Sequence, residues 1–295
     1  MRIVSLLPSA TEIVYALGLE GDLVGVTHEC DWPPEARGKR VVSHSALPQG
    51  AEPAEIDRLV SASIGGGEPI YRLDTEAIQE LRPDLVLSQD LCAVCAVPSG
   101  HVQDALGVLG CQADVISLDP SSLDEVLDGV LLVAKATGTE ARGQALVDAL
   151  RRRLDAVRAA TAELDRPRTY ALEWGDPPFN GGHWVPEMIE IAGGEPLLAS
   201  RGTPSVRMTW DEIGAARPDV VVFMPCGYDL AAAAEEGRSL LGRGELAGSR
   251  LFAVDASAHF SRPGPRLVDG VEVLASALHP DQVPPPPAGA LARLR

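Results

Sequence analysis

The sequence predicts an α/β fold made of two lobes with parallel sheets, joined by a single long backbone helix. Short apolar runs alternate with helical stretches along most of the 295 residues, which is typical of α/β proteins. The runs are continuously apolar rather than alternating, as expected of strands that are buried on both faces of a parallel sheet. A stretch with almost no strand signal, residues 121–164, separates two strand-rich halves.

Seven apolar runs have the length and composition of buried strands. They are Ile3–Leu7, Leu23–Thr27, Leu85–Ser88, Asp114–Leu118, Thr169–Glu173, Val220–Met224 and Leu251–Asp255. The helices between them have clear boundary signals: the segment Ser9–Glu12 opens the first helix and Gly18 closes it. Each strand therefore leads through a polar or Gly/Pro-containing loop into a helix.

Four regions follow from this pattern. Residues 1–120 form the N-terminal α/β lobe, 121–164 the linking helices, 165–280 the C-terminal α/β lobe, and 281–295 a Pro-rich tail outside the core. Within the linking region Gly138 separates two helices, and the second covers Glu140 to Glu163.

Two segments of the chain have the same layout. Both LDTEAIQELRPDLVLSQ and MTWDEIGAARPDVVVFM contain a capped helix, an Arg-Pro-Asp turn and a buried strand. We interpret them as an internal repeat, with one copy in each lobe. Chance similarity between two helix–turn–strand units is the alternative.

The charge of the chain excludes some classes of partner. The formal net charge is −17 and the sequence pI is about 4.7, which argues against binding nucleic acid or an anionic membrane surface. No apolar run is long enough to span a bilayer. Pro8, Ser9, Thr11 and Glu12 interrupt the apolar opening, so we interpret it as part of the fold rather than as a signal peptide, and expect a cytoplasmic protein.

Ligands of open parallel sheets bind beyond the carboxyl ends of the strands. The residues that follow the predicted strands are therefore candidates for ligand binding, and they include Ser9, His259 and Arg262. Aromatic residues make up only 4% of the chain, yet all four tryptophans lie outside the strand runs. Tryptophans placed in this way suit a large flat ligand. Packing between lobes is the alternative, and we favour simple packing for Trp210, at a helix start.

Cys92 and Cys95 form a CxxC pair after one strand, and His28 and Cys30 follow another. If the two loops meet, these four residues offer a mixed nitrogen and sulfur ligand set for a zinc or iron ion. Two alternatives remain open: buried thiols that pack as small apolar groups, and a redox dithiol. Five cysteines in a chain of this size do not predict a disulfide framework.

An enzyme on the same scaffold is the alternative function. Glu173, at the end of a predicted strand, is placed to act as a general base on a small metabolite, with Cys92 and Cys95 as further candidates. No nucleophile elbow or Gly-rich phosphate loop accompanies them. A protein that binds without catalysis is therefore the leading hypothesis.

The chain also resembles a known family. The opening RIVSLLPSATEIVYALGLEGDLVGVTHECDWPPEA, the segment EWGDPPFNGGHWVPEMIEIAGG and the final HFSRPGPRLVDGVEVLA are similar to the helical-backbone (class III) solute-binding proteins, in particular to the cobalamin-receptor branch. The similarity spans nearly residues 1 to 279.

This resemblance implies cobalamin, another corrinoid or a related metal chelate as the ligand, bound in the cleft between the lobes, and an ABC transporter as a partner. It also assigns six residues to the ligand-binding surface: Trp32, Gln89, Trp174, Phe179, Trp184 and Phe260. A cytosolic carrier, sensor or enzyme on the same scaffold stays open, because a fold does not determine a function.

Overall fold

The computed structural model describes residues 1–46, 55, 58, 59, 62, 71–90, 100, 102, 103, 106, 107 and 112–295. The chain divides into two compact units: unit 1 is Met1–Pro120 with Asp128–Leu146, and unit 2 is Ser121–Leu127 with Val147–Arg295. Each unit has its own sheet, which confirms the predicted α/β class with two lobes. All seven predicted strands are present, with ends that differ by two residues at most.

The sheet of unit 1 has the strand order β4-β3-β2-β1-β5-β6 within the described residues. Its strands are β1 (Ile3–Ser5), β2 (Leu23–Thr27), β3 (Arg40–Ser45), β4 (Tyr71–Leu73), β5 (Leu85–Ser88) and β6 (Asp114–Ser117). Neighbouring strands are parallel except for β3 and β4. The carboxyl ends of five strands therefore lie at one edge, where α/β proteins place their ligands.

Among the residues that the structure describes, two helices of unit 1 with complete bounds connect these strands, α1 (Pro8–Ala16) and α2 (Thr75–Leu81). Helix α1 begins with Pro8 in its first turn and has no side-chain cap, so the Ser9–Glu12 segment lies inside the helix instead of opening it. Proline suits this position because the first N–H groups of a helix have no partner within it. Gly18, with φ of 66°, follows the helix as predicted.

The sheet of unit 2 has the order β12-β11-β10-β7-β8, and β9 pairs with β7. Its strands are β7 (Arg168–Gly175), β8 (Pro178–Asn180), β9 (Glu195–Pro196), β10 (Val220–Phe223), β11 (Arg250–Val254) and β12 (Leu291–Arg293). Strands β7, β10 and β11 are parallel and fully buried along most of their length, whereas β8 and β12 are antiparallel edge strands.

The predicted linking region forms two helices, α3 (Leu123–Ala136) and α4 (Glu140–Thr161), separated by Gly138 with φ of 66°. The chain changes from one unit to the other within both helices, and for the last time at residues 146–147. In unit 2, the buried carboxylate of Glu187 accepts a 3.0 Å hydrogen bond from the Leu123 N–H and so caps the start of α3.

Five further helices belong to unit 2: α5 (Val185–Ile191), α6 (Trp210–Ala216), α7 (Leu230–Gly237), α8 (Ala256–His259) and α9 (Leu267–Leu278). Thr209 caps α6, and the side chain of Glu212 completes a capping box by accepting from the Thr209 N–H. The core of this unit surrounds β7, β10 and β11 and includes Tyr170, Leu172 and Phe223.

The internal repeat is present in the structure. Asp84 and Asp219 each follow an Arg-Pro dipeptide, and their carboxylates accept hydrogen bonds from the backbone N–H of Arg2 and Arg168, at 2.7 and 2.8 Å. The arginine of each Arg-Pro dipeptide, Arg82 in one copy and Arg217 in the other, has a left-handed backbone conformation. Each unit thus uses the same turn to attach a helix and a strand to the start of its central strand.

The tail differs from the prediction that it lies outside the core. Its last residues form β12, which pairs with β11, and Leu294 packs against the core of unit 2. The four prolines at 284–287 cannot donate backbone hydrogen bonds, but the strand forms after them, where the backbone N–H groups are available again. Within the described residues, no helix is long and apolar enough to cross a membrane.

Candidate functional site

Two predicted ligand-binding residues lie side by side at the carboxyl end of β7. Trp174 on β7 is directly opposite Phe179 on β8, and both side chains are half-buried. Residues that face each other on antiparallel strands project from the same side of the sheet. The indole N–H of Trp174 donates to the Asp176 carbonyl at 3.1 Å, which fixes the orientation of its ring.

The pair extends in both directions into a longer row. On one side, Tyr228 meets Trp174 edge to face, with ring centroids 5.9 Å apart and an interplanar angle of 83°. On the other side, Arg207 forms an antiparallel bridge with Phe179, and its guanidinium carbon lies 5.7 Å from the centre of the Phe179 ring. We call Tyr228, Trp174, Phe179 and Arg207 the aromatic row. Such geometries are favourable for both aromatic and cation–π pairs.

The segment that carries Arg207 is held by Asn180. The side chain of Asn180 donates to the Leu198 carbonyl and accepts from the Val206 N–H at 2.7 Å, and its backbone N–H donates to the Val206 carbonyl at 3.2 Å. The Met208 N–H donates to the Pro178 carbonyl at 2.8 Å. The position of Arg207 beside Phe179 is therefore fixed by backbone pairing on both sides.

Glu173 lies next to Trp174, and its carboxyl group is inside unit 2. Burial raises the pKa of this carboxyl above its ordinary value, against the effect of hydrogen bonds from the Ser205 hydroxyl and the Gly182 N–H. Gly182 has no room for a side chain, because a Cβ atom would lie 2.2 Å from the Ser205 nitrogen. Glu173 thus connects two loops of unit 2, and its use as a general base stays a hypothesis.

Trp184 and Phe260, also predicted to contact the ligand, form a second pair. Both are buried, with 6% and 2% exposure, and the Trp184 indole N–H donates to the Phe260 carbonyl at 2.8 Å. The ring of His183 lies 5.5 Å from that of Trp184. This pair connects the start of α5 to the end of α8, and its assignment to the ligand surface stays a prediction.

His259 and Arg262 lie close to this pair in the chain and are half-buried. Burial lowers the pKa of His259, and the charge of Asp269 is the largest effect that raises it. The Nδ1 atom of His259 is buried and has no hydrogen-bond partner among the described residues. The imidazole is therefore favoured in its neutral form.

The predicted residues of unit 1 are placed differently. Ser9 and Gln89 are 2% and 3% exposed, and the Gln89 side chain donates to the Leu118 carbonyl at 2.9 Å. Trp32, in contrast, has 45% of its surface exposed. Of these three, Trp32 has the surface to contact a ligand directly, whereas Ser9 and Gln89 pack within the unit.

Of the four predicted metal ligands, the structure describes Cys30 and His28, and these two lie in different environments. Cys30 is buried, and its sulfur lies 3.0 Å from the Thr11 hydroxyl, which in turn donates to Ser5. His28 is exposed and lies near the rings of His44 and Tyr71, at 6.3 and 6.1 Å. Cys92 and Cys95 lie outside the described residues. Among those described, no group of three or more His, Cys, Asp or Glu side chains is arranged to hold a metal ion, and the zinc or iron site stays a prediction.

Comparison with known proteins gives the family of this chain. The model of a family described as periplasmic binding protein matches residues 3–244. The chain belongs to the periplasmic binding protein family. The predicted class of function, a protein that binds a small ligand as a solute-binding protein, is thereby confirmed.

Two relatives in this family cover most of both chains. An uncharacterized ABC transporter substrate-binding lipoprotein of Bacillus subtilis is 26% identical over 95% of this chain and 80% of its own length. A vitamin B12-binding protein of Vibrio cholerae is 26% identical over 94% of this chain and 88% of its own length.

Solved structures show the same fold. A periplasmic heme-binding protein of Pseudomonas aeruginosa superimposes with a TM-score of 0.71 at 21% identity, covering 99% of this chain and 97% of that one. The periplasmic vitamin B12-binding protein of Vibrio cholerae gives 0.68 at 24% identity, covering 94% and 96%. The two-lobed α/β fold of the family is therefore the fold of this chain.

The predicted cytoplasmic location is wrong. The family is one of periplasmic binding proteins, and the relatives named above include a lipoprotein of an ABC transporter. The prediction rested on the interpretation of the opening segment as β1 and α1, which is correct for the fold. It carries no information about export, because a folded segment and a targeting segment have separate roles.

Two members of the aromatic row were not among the predicted site residues. Tyr228 follows a predicted strand, so its position at the sheet edge was a usable signal. Arg207 follows no apolar run, and its place beside Phe179 depends on pairing between β8 and a segment without strand periodicity. The sequence alone contains no signal for that pairing.

Proposed function

We propose that the protein is an extracytoplasmic solute-binding protein that binds a planar metal chelate, cobalamin or a related corrinoid or tetrapyrrole, and delivers it to an ABC transporter. The observation that carries this proposal is the aromatic row at the carboxyl end of β7. Family membership supports solute binding, and the relative from Vibrio cholerae supports the ligand class because it is a vitamin B12-binding protein.

The row offers apolar aromatic surface to a large ligand. Phe179 and Tyr228 are half-buried like Trp174, so each keeps part of its apolar surface available for contact. Covering about 300 Å² of apolar surface would contribute about 7 kcal/mol at roughly 25 cal/mol per Å². Part of that free energy offsets the loss of translational and rotational freedom on association. Binding in the micromolar range or tighter is compatible with this balance.

The partner proposal rests on the relatives. One of them is a substrate-binding lipoprotein of an ABC transporter, and it matches almost the entire chain. A transporter that receives the chelate from this protein is therefore the partner we propose.

Equilibrium titration of the purified protein with cobalamin, cobinamide and haem tests the proposal. Binding is followed by the visible absorbance of the chelate and by quenching of tryptophan fluorescence. We expect at least one of the three to bind with a Kd in the micromolar range or below, and to quench a signal to which Trp174 contributes. If none of the three binds below millimolar concentration, the proposed function is wrong.

A further inference from the structure

The imidazole of His183 has no hydrogen-bond partner within the described part of the chain. His183 is half-buried, follows β8 and directly precedes Trp184. Its backbone N–H and carbonyl are paired, but neither ring nitrogen has a hydrogen bond or ion pair to a described residue. Burial lowers the pKa of the ring below its ordinary 6.5. The neutral imidazole is therefore favoured, and one of its nitrogens has a lone pair that is available to a ligand.

Two other histidines of unit 2 differ from His183 in accessibility. Burial also lowers the pKa of His259 and of His279, but each has one ring nitrogen that is fully buried without a partner, Nδ1 in His259 and Nε2 in His279. The ring nitrogens of His183 are not among the fully buried atoms, so solvent reaches both. Of these three histidines, His183 is therefore the one with both ring nitrogens open to a ligand.

His183 is held in place by its backbone and by its ring. Its N–H donates to the Thr203 carbonyl at 2.6 Å, and its carbonyl accepts from the Gly202 N–H at 2.9 Å. Its ring lies against the indole of Trp184, with centroids 5.5 Å apart and an interplanar angle of 31°, and that indole donates to the Phe260 carbonyl. The backbone of His183 is left-handed, with φ of 51°, a costly conformation that often occurs at functional sites. The imidazole is thus positioned before any ligand binds.

A neutral imidazole with a free nitrogen is a common metal ligand in proteins. We propose that His183 ligates the metal ion of the bound chelate through one ring nitrogen, at an axial position that the macrocycle leaves open. The nitrogen donates its lone pair to the metal and a water molecule leaves, with no change in oxidation state. This inference rests on the proposed function and extends it, because it makes an exchangeable axial position a condition for tight binding. A hydrogen bond from His183 to a polar group of the macrocycle is the alternative, and it would not depend on the axial ligands.

Two forms of one corrinoid test the proposal. Diaquacobinamide has exchangeable water at both axial positions, whereas dicyanocobinamide has the same ring and side chains with both positions blocked by cyanide. We expect the parent protein to bind the diaqua form about tenfold or more tightly than the dicyano form, and to shift its absorbance spectrum to that of a corrinoid with an axial nitrogen ligand. The dicyano form should bind without a spectral shift. If haem is the chelate that binds, ferric haem and its dicyano complex take the place of the two corrinoids.

The decisive variant is His183→Asn, because asparagine tolerates a left-handed backbone and has no imidazole. We expect it to abolish the spectral shift, to weaken binding of the diaqua form about tenfold or more, and to change the affinity for the dicyano form by less than about twofold. His183→Gly, at a backbone conformation that glycine adopts freely, repeats the test in a second variant. His279→Asn is the matched control: it removes an imidazole whose unpartnered nitrogen is buried, and it should keep the shift and both affinities.

The possible failures are distinguishable. If neither the corrinoids nor haem bind to the parent protein, the proposed function fails, and the inference with it. If the diaqua and dicyano forms bind to the parent protein equally and without a spectral shift, the proposed function stands and the inference is wrong. A shift that persists in His183→Asn means that another group ligates the metal, which also overturns the inference.

A hydrogen bond from His183 to the macrocycle gives a different result from metal ligation. In that case His183→Asn weakens the diaqua and dicyano forms by the same factor, and the inference is wrong. Circular dichroism confirms that each variant is folded.

Discussion

The indole N–H of Trp184 donates a 2.8 Å hydrogen bond to the carbonyl oxygen of Phe260, and both residues are buried. This bond connects the residue that precedes α5 to the residue that follows α8. Two elements that are distant in sequence are thereby fixed at the carboxyl edge of the sheet of unit 2. This hydrogen bond therefore stabilises the same edge of the sheet that carries the aromatic row.

Replacing Trp184 by phenylalanine removes this bond while keeping an aromatic ring. We expect the Trp184→Phe variant to lose about 1–3 kcal/mol of unfolding free energy, because a buried carbonyl loses its partner. Urea denaturation measures the change. Trp32→Phe is the control: the side chain is 45% exposed, and its replacement should change the free energy of unfolding by less than about 0.5 kcal/mol. Equal stability of the two variants would contradict this account.

The two aspartates of the internal repeat, Asp84 and Asp219, make the same contact, and we expect them to contribute equally to the free energy of unfolding. Asp84→Ala and Asp219→Ala each remove an acceptor for the first N–H groups of a central strand, and we expect each to cost about 1–2 kcal/mol of stability. Asp128→Ala, at an exposed position within α3, is the control and should be nearly neutral. A large loss in one aspartate variant and none in the other would mean that the repeat is not maintained by this contact.

His279 makes the folded protein less stable as the pH becomes more acidic. The residue is 6% exposed, and burial lowers its pKa below the ordinary 6.5. The unfolded state therefore binds a proton more readily than the folded state, so this contribution is complete above pH 6.5 and is lost as the pH falls through the folded-state pKa. We expect the parent protein to lose stability relative to His279→Gln between pH 7.5 and 5. An identical pH dependence of the two proteins would contradict the prediction.

Glu173 has the opposite effect on the pH dependence of stability. Burial raises its pKa above the ordinary 4.5, so the folded state holds the proton more tightly than the unfolded state does. Its contribution is complete below pH 4.5 and is lost as the pH rises through the folded-state pKa. We therefore expect the parent protein to lose stability relative to Glu173→Gln as the pH increases from 4.5 to 8. Denaturation curves of both proteins at several pH values test this; a difference that grows on acidification would refute it.

Most of the strands that the sequence predicts correctly are buried on both faces; the exception is β6, whose four residues are exposed or half-buried. Runs such as Val220–Phe223 and Leu251–Val254 have no exposed position, and such runs are rare outside parallel sheets. Strands β8 and β12 are short and lie at edges, where polar and apolar residues occur together. Their formation depends on the neighbouring strand rather than on their own composition, so the sequence alone does not reveal them.

The residues of the candidate site likewise divide into those that the sequence can predict and those that it cannot. Trp174 and Phe179 could be predicted because aromatic residues are scarce and both follow a predicted strand. Trp184 and Phe260 could be selected by the same criterion, but residue type and position do not show that their side chains point inward. Arg207 could not be found, because its role depends on a bridge across strands. Direction and pairing are tertiary properties, and they decide which aromatic residues form a surface.

The affinity of Trp174→Ala for the best-bound chelate, compared with that of Trp210→Ala, tests whether the aromatic row holds the ligand. Trp174 is in the middle of the aromatic row, whereas Trp210 is outside it at the start of α6. Loss of the central ring should weaken binding about tenfold or more, since aromatic anchors at the centre of a contact commonly contribute 2 kcal/mol or more. Trp210→Ala should bind as the parent protein does. Equal affinities of Trp174→Ala and the parent protein would show that the ligand is held elsewhere.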